Sequence, residues 1–285
     1  MIPSRPPRYR SALFDSARWS DVDLRSGDIV VSTPPKSGTT WTLAMVYLSL
    51  HGPDARFERL SSAAPWVDFH GGRPDAPPRQ ARSFDGRRIF KTHTPLDGVP
   101  LVDGVVAITV HRDPGESLLS MRRHLRNMTA PAPDHPNRGP LEMALETFLS
   151  RPLDLDHFDG VTLSGLHHHL RRSEQASAAR FHYSEMSADP VAALRAIAGC
   201  IGAPLDPASE RAIIDATGKA AMRRNAGTYT PEANTGLFKD DARFFAGGDE
   251  RAERLTDAQR SRIFDRVHSD MGDHSAAWLC RTAGA

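Results

Sequence analysis

Four short apolar runs, rich in β-branched residues, stand out along the chain. The first, Asp28-Ile29-Val30-Val31-Ser32, reads as a buried strand, and Arg88-Ile89-Phe90-Lys91-Thr92-His93 reads as a second. Val105 to Val110 is the cleanest of the set, and Arg180-Phe181-His182-Tyr183 makes a fourth. Helical spacing fills much of the rest. An apolar segment from Trp41 to Leu50 follows the first strand, and Asp113 with Pro114 opens a helix towards Arg126 as N-cap and first helical residue. Leu141 to Leu149 and Val161 to Ala179 carry helical periodicity. Asp189-Pro190 starts a helix through Ile201, Asp206-Pro207 one through Ala216, and Thr256 caps a last one towards Met271. Residues 1–27 look like a polar leader, and 52–86, 129–136 and 218–248 read as loops. Strands alternating with helices predict an α/β fold, a central parallel sheet flanked by helices, and no linker divides the 285 residues into separate domains.

Composition narrows the classes. With 39% hydrophobic residues the chain can bury a substantial core. Its 36 Lys+Arg balance 35 Asp+Glu, which argues against nucleic acid as a partner while leaving room for a local anion pocket. No run reaches the roughly 18 apolar residues of a membrane span, and the start lacks the apolar core of a secretory signal. Cys200 and Cys280 have no metal-ligand spacing and are expected as reduced thiols, so the cytoplasm is the default location. His167-His168-His169 fall about 100° apart on a predicted helix, poorly placed to share a metal and expected in solvated or capping roles.

The chemistry begins where the first strand turns. Thr33-Pro34-Pro35-Lys36-Ser37-Gly38-Thr39-Thr40 is a strand–turn–helix transition, and such a turn aims backbone N–H groups and a helix dipole at one point. Gly38 lets the backbone approach, Ser37, Thr39 and Thr40 offer hydroxyls, and Lys36 offers a full charge. Compared with the Walker A pattern, Thr39 stands where the lysine belongs and Thr33 replaces the first glycine. No acidic residue at a strand end suggests itself for Mg²⁺, which a nucleoside triphosphate normally demands. The turn is therefore P-loop-like and suited to a donor with one phosphate at its reacting end. Two further strand ends carry chemistry. Lys91 and His93 lie at the end of the second, where α/β active sites gather, and a histidine can accept a proton at working pH. Arg112 follows the third, able to grip a phosphate bidentately or to serve as a helix-end ion pair.

Pro35-Lys36-Ser37-Gly38-Thr39-Thr40-Trp41 resembles the PKSGTTW phosphosulfate loop of cytosolic-type sulfotransferases at all seven positions. Lys91-Thr92-His93-Thr94-Pro95 is similar to the same family's KTHLP segment, departing at Thr94. Arg112 followed eight positions later by Ser120 matches its 3′-phosphate motif, and Tyr183-Ser184-Glu185-Met186 is similar to its YEDM segment. Thr217, five positions before Met222, is a weaker match to a base-contacting threonine. The resemblance implies a sulfotransferase that moves a sulfuryl group from 3′-phosphoadenosine-5′-phosphosulfate (PAPS) to a small-molecule hydroxyl or amine, leaving the bisphosphate PAP, with no metal.

The same resemblance makes His93 the base, with Lys91 and Lys36 assisting, and residues 37–40 the 5′-phosphate cradle. Trp41, Tyr183 and Thr217 would contact the base and Arg112 with Ser120 the 3′-phosphate. Alone, Trp41 and Tyr183 would read as core residues, and the remaining rivals are an ATP-dependent small-molecule kinase and a non-catalytic nucleotide-binding module. The match fails in two places. Where the family usually has a basic RKGxxGxWK loop, this chain reads Phe244-Phe245-Ala246-Gly247-Gly248-Asp249, with only Arg243 or Arg251 as substitutes. An aromatic residue usual two positions after the threonine is Lys219 here. Weaker PAPS affinity or a rearranged lid is expected, residues 218–250 forming that lid or an acceptor loop. No dimer pattern is recognisable. Phe57, Trp66, Phe69 and Phe84 hint at an apolar or aromatic acceptor as readily as at core packing.

Overall fold

The computed structural model describes residues 6–73, 75, 86–131, 135–245 and 253–281. Four parallel strands, β1 (Ile29–Ser32), β2 (Ile89–Thr92), β3 (Val106–His111) and β4 (Ala179–His182), form one sheet in the order β2-β1-β3-β4. All four residues of β1 are buried, as expected of a strand covered on both faces. Alternation along it serves two cores: Ile29 and Val31 join Ile108 and Val110 on one face, while Val30 joins Phe90 and Ala107 on the other.

The helices are α1 (Thr39–His51), α2 (Leu60–Ala63), α3 (Pro114–Asn127), α4 (Leu141–Ser150), α5 (Leu163–Gln175), α6 (Tyr183–Ala188), α7 (Pro190–Cys200), α8 (Pro207–Thr217), α9 (Lys219–Arg224), α10 (Ala226–Tyr229), α11 (Asp257–Met271) and α12 (Asp273–Leu279). Helix α1 is apolar nearly all round, and Leu43 to Leu48 are buried between the sheet and α7 and α8. A third core unites α3, α4, α5, α11 and α12 around Leu118, Leu166, Leu170 and Val267. The expected caps form: Asp113 accepts from the Glu116 N–H, Asp189 from Ala192, Asp206 from Ala208 and Ser209, and Thr256 builds a full capping box with Gln259.

Several expectations are corrected. Residues 6–27 are no detached leader: Tyr9, Phe14, Trp19 and Leu24 are buried, Tyr9 Oη donates to Asp97 at 2.7 Å, and Trp19 Nε1 donates to the buried Asp68 at 3.3 Å. Apolar residues spaced irregularly among Arg, Ser and Asp build this layer, so no periodicity betrayed it. The helix expected over 161–179 spans Leu163–Gln175, because Thr162 caps it and pairing with β3 draws Ala179 into β4. That strand ends one residue earlier than expected, since Tyr183 begins α6. Residues 218–245 are not a plain loop but contain α9, α10 and a 3₁₀ turn at Asp241–Phe245. The histidine run is not solvated. His167 and His169 are buried, and the three rings reach separate partners: Asp270, the Tyr9 hydroxyl and the Ser32 hydroxyl. Cys200 and Cys280 are free thiols. Among the described residues no helix is long and apolar enough to cross a membrane.

Candidate active site

Chain direction brings the chemistry together. In a parallel sheet all strands end on one edge, and here the segments after β1, β2, β3 and β4 begin with Thr33, His93, Arg112 and Tyr183. The chain leaves β1 towards β2 on one side and leaves β3 towards β4 on the other, so the strand order reverses between β1 and β3, the place where ligands of such sheets bind.

The turn after β1 is shaped by two left-handed residues, Lys36 at φ 68° and Gly38 at φ 104°. A non-glycine residue in that region carries a steric penalty, so Lys36 is held there by its surroundings. At Gly38 a Cβ would lie 2.8 Å from the ring of Tyr183, so glycine is required both for its φ and for that contact. Thr33 and Thr39 share a hydrogen bond between hydroxyls at 2.5 Å, pinning the turn across its neck. Ser37 is fully buried, and among the described residues its Oγ has no hydrogen-bond partner. A buried hydroxyl left unpaired is costly, and an anion seated in the turn would satisfy it. The cradle therefore fits a phosphate group.

At the end of β2, His93 is 8% exposed, and its Nδ1 lies 2.7 Å from the Thr33 carbonyl oxygen. A carbonyl can only accept, so Nδ1 carries the proton and Nε2 keeps its lone pair. Burial, then the charge of Lys91, hold the imidazole well below its ordinary pKa, so the ring is neutral. Trp66 meets His93 edge to face at 4.7 Å, stacks on Phe69 at 4.6 Å, and takes the Lys91 ammonium over its ring at 4.4 Å. Of the aromatic residues singled out in the sequence, Trp66 and Phe69 thus border the base. Phe57 packs instead on Tyr47 and Tyr229, and Phe84 lies outside the described residues. Thr94, the departure from the family segment, has its own role: its hydroxyl donates to buried Asp68 at 2.5 Å, beside a second donation from Thr92 at 2.6 Å. Asp68, pushed above the usual carboxylate range by its burial, anchors the strand end that carries His93.

Arg112, after β3, stacks its guanidinium on the Tyr183 ring at 4.4 Å and donates to the Lys36 carbonyl at 3.3 Å. Tyr183 in turn meets Trp41 edge to face at 5.8 Å. Lys36, Gly38, Trp41, Arg112 and Tyr183 therefore form one contiguous patch. Ser120 lies half-buried on α3, and Thr40 half-buried at the start of α1. Thr217 is buried at the end of α8, its hydroxyl donating to the Ile213 carbonyl at 2.8 Å, so it has only acceptor capacity to spare.

A residue absent from the sequence-based set stands at the centre. His124 Nδ1 accepts from the Lys36 ammonium at 3.3 Å, and its ring sits 5.2 Å from Phe238 and 5.9 Å from Phe244. Phe244 also faces Lys36 Nζ at 4.6 Å. Burial, then Lys36, Lys91 and His93, bring the His124 pKa down to about 2 and keep it neutral. No motif flags a histidine in the last turn of a helix; only its closeness in space to Lys36 does. Lys36 itself is pushed down to about 7, first by burial, then by Arg112, Lys91 and Arg123. The substitute cation Arg243 pairs with Asp240 at 3.5 Å on the surface, and Arg251 lies outside the described residues.

A buried turn with an unpaired hydroxyl, a neutral imidazole and convergent cations together describe a group-transfer site for an anionic donor. The sulfotransferase domain matches residues 26–274. The chain belongs to the sulfotransferase family. Glycolipid sulfotransferases of Mycobacterium bovis (strain BCG / Pasteur 1173P2) and Mycobacterium tuberculosis (strain ATCC 25177 / H37Ra) are each 30% identical to it, over 95% of this chain and 93% of theirs. Among solved structures, retinol dehydratase in a complex with retinol and PAP superposes with a TM-score of 0.68 at 18% identity, covering 90% of this chain and 85% of that one. Mouse sulfotransferase SULT7A1 complexed with PAP gives 0.63 at 21% identity, covering 93% and 92%. At these identities the two structures speak for the fold: an α/β domain with a central parallel sheet. Sulfuryl transfer is the reaction class of this sulfotransferase.

Proposed function

We propose that this sulfotransferase takes its sulfuryl group from PAPS and hands it to a hydroxyl or amine of a small acceptor bearing an apolar portion, with His93 as general base. The observation that carries the base is the 2.7 Å contact between Nδ1 and the Thr33 carbonyl, which leaves the Nε2 lone pair as the ring's basic atom. His93 Nε2 removes the acceptor proton as the acceptor oxygen or nitrogen bonds to sulfur. The bond from sulfur to the bridging oxygen breaks, and its electrons leave with the 5′-phosphate of PAP. Lys36 and the N–H groups of residues 37–40 stabilise the charge growing on that phosphate, and Lys91 steadies the sulfuryl oxygens. Arg112 and Ser120 hold the 3′-phosphate, while Trp41, Tyr183 and Thr217 enclose the base.

The acceptor side is supported by Trp66 and Phe69 beside His93, and by Phe238 and Phe244 beside Lys36 and His124. Such walls suit a molecule with an apolar portion, in keeping with relatives named for glycolipids. Residues 218–250 serve as a lid or an acceptor loop for this pocket. The test is an acceptor screen with PAPS using wild type and His93→Ala. Turnover should fall at least about 100-fold in the variant, the scale of a lost general base, with 3′,5′-ADP binding unchanged. Substantial remaining turnover would remove His93 from the role of base.

A further inference from the structure

The 3′-phosphate poses a problem of charge, since the two basic residues usual near 244–251 are missing. Helix α3 holds a cation in surplus. Arg122, 2% exposed, is fully paired: it donates to both Glu253 oxygens at 2.6 and 2.8 Å and to the carbonyls of Asn137 and Gly139, each at 2.9 Å. Arg126 takes the same Glu253 at 2.9 Å, and Glu116 is shared by Arg112 at 3.6 Å and Arg260 at 3.3 Å. Arg123, half-buried among them, makes no ion pair or hydrogen bond within the described residues. It follows Ser120 by three positions, one turn along the same helix face.

A second cation comes from α9. Lys219 opens α9 two residues past Thr217, and it too has no carboxylate partner within the described residues. Arg112 and Arg123 both act on Lys219, Arg112 on Arg123, and Arg123 on Lys36, each holding its neighbour's pKa down behind the larger effect of burial. Glu116 and Glu253 act on Arg123 in the opposite sense, yet Arg112, Arg123 and Lys219 still repel one another, and a multiply charged anion placed among them would relieve that repulsion.

We propose that Arg123 and Lys219 complete the grip of Arg112 and Ser120 on the nucleotide's 3′-phosphate, replacing from α3 and α9 the cations absent near 244–251. This rests on the PAPS reading above. It also gives Lys219 a purpose at a position where related enzymes usually carry an aromatic side chain.

Calorimetric titration with 3′,5′-ADP and with 5′-AMP tests the assignment on wild type, Arg123→Gln, Lys219→Gln and the double variant. Arg126→Gln serves as a control for lost helix charge and Arg123→Lys as a charge-retaining rescue. Loss of a charge-assisted contact should weaken 3′,5′-ADP binding about tenfold for Arg123→Gln and about threefold for the more exposed Lys219→Gln. Binding of 5′-AMP should change less than about twofold, because that ligand lacks the phosphate being gripped. Arg126→Gln should behave as wild type, and Arg123→Lys should recover most of the loss. Equal weakening of both ligands would mark a merely structural role and overturn the proposal. A double variant that keeps the wild-type preference for 3′,5′-ADP would overturn it while leaving the PAPS reading intact. A wild-type protein without any preference would overturn both.

Discussion

Lys36 is held at a pKa of about 7 by burial and by Arg112, Lys91 and Arg123, its ammonium bonded among the described residues to the neutral His124. An anionic nucleotide favours the charged ammonium, so the pKa of Lys36 must be higher in the complex than in the free protein. The lysine contribution to affinity is then full below the free value, near 7, and is lost as pH rises through the bound one. Affinity for 3′,5′-ADP is therefore expected to fall by up to about tenfold per pH unit between pH 7 and the bound pKa. Titrations at pH 8 in buffers of different ionisation heat should show proton uptake, and Lys36→Arg should abolish both effects. A flat profile from pH 7 to 8.5 in wild type would contradict this picture of Lys36. His93 was visible in the sequence because it ends a strand within a motif. Asp68 and His124 were not, because each acts through neighbours distant in sequence: Thr92 and Thr94 for one, Lys36 for the other.

The turn between β1 and α1 succeeds as an element only because its backbone is forced. Gly38 combines φ 104° with a Tyr183 ring where a Cβ would sit. Gly38→Ala is expected to cost about 1–2 kcal/mol from the left-handed backbone alone, and to push Tyr183 off the loop. Both a lowered melting temperature and weakened nucleotide binding should follow; an alanine variant with wild-type affinity would show that the Tyr183 contact is dispensable. At this scale the four strands and seven capped or periodic helices were readable, since buried β-branched runs and Asp-Pro caps act locally. The short helices α2, α6, α9, α10 and α12 were missed. At four to seven residues they lack a full period of apolar spacing, and tertiary contacts hold them in place. The layer built from Tyr9, Phe14 and Trp19 was missed for a related reason, its apolar residues being scattered.

At the scale of the molecule, five histidines are buried, His93, His111, His167, His169 and His182, and His124 is partly so. His93, His111, His124, His167, His169 and His182 all have pKa values lowered chiefly by burial, His167 and His182 to about 4 and His169 to about 3. The folded state keeps them neutral, whereas the unfolded chain binds protons below about 6.5, so stability declines as pH falls through 6.5 towards the folded values. Each such ring removes up to about 1.4 kcal/mol per pH unit in that window. The melting temperature should therefore drop steeply between pH 7 and 5.5, and less steeply when His169 is replaced by Asn; a flat curve would mean that these rings are hydrated. At the sheet's carboxyl edge, protein cations are proposed to receive a nucleotide phosphorylated at both its 5′ and 3′ positions. Isothermal titration of the wild-type protein in chelator with 3′,5′-ADP and 5′-AMP, and with Mg²⁺-ATP in a separate run, addresses this most directly. Binding of 3′,5′-ADP should be at least about tenfold tighter than that of either rival, the worth of one charge-assisted phosphate contact. Equal affinity for 3′,5′-ADP and 5′-AMP, or a preference for Mg²⁺-ATP, would contradict the proposal.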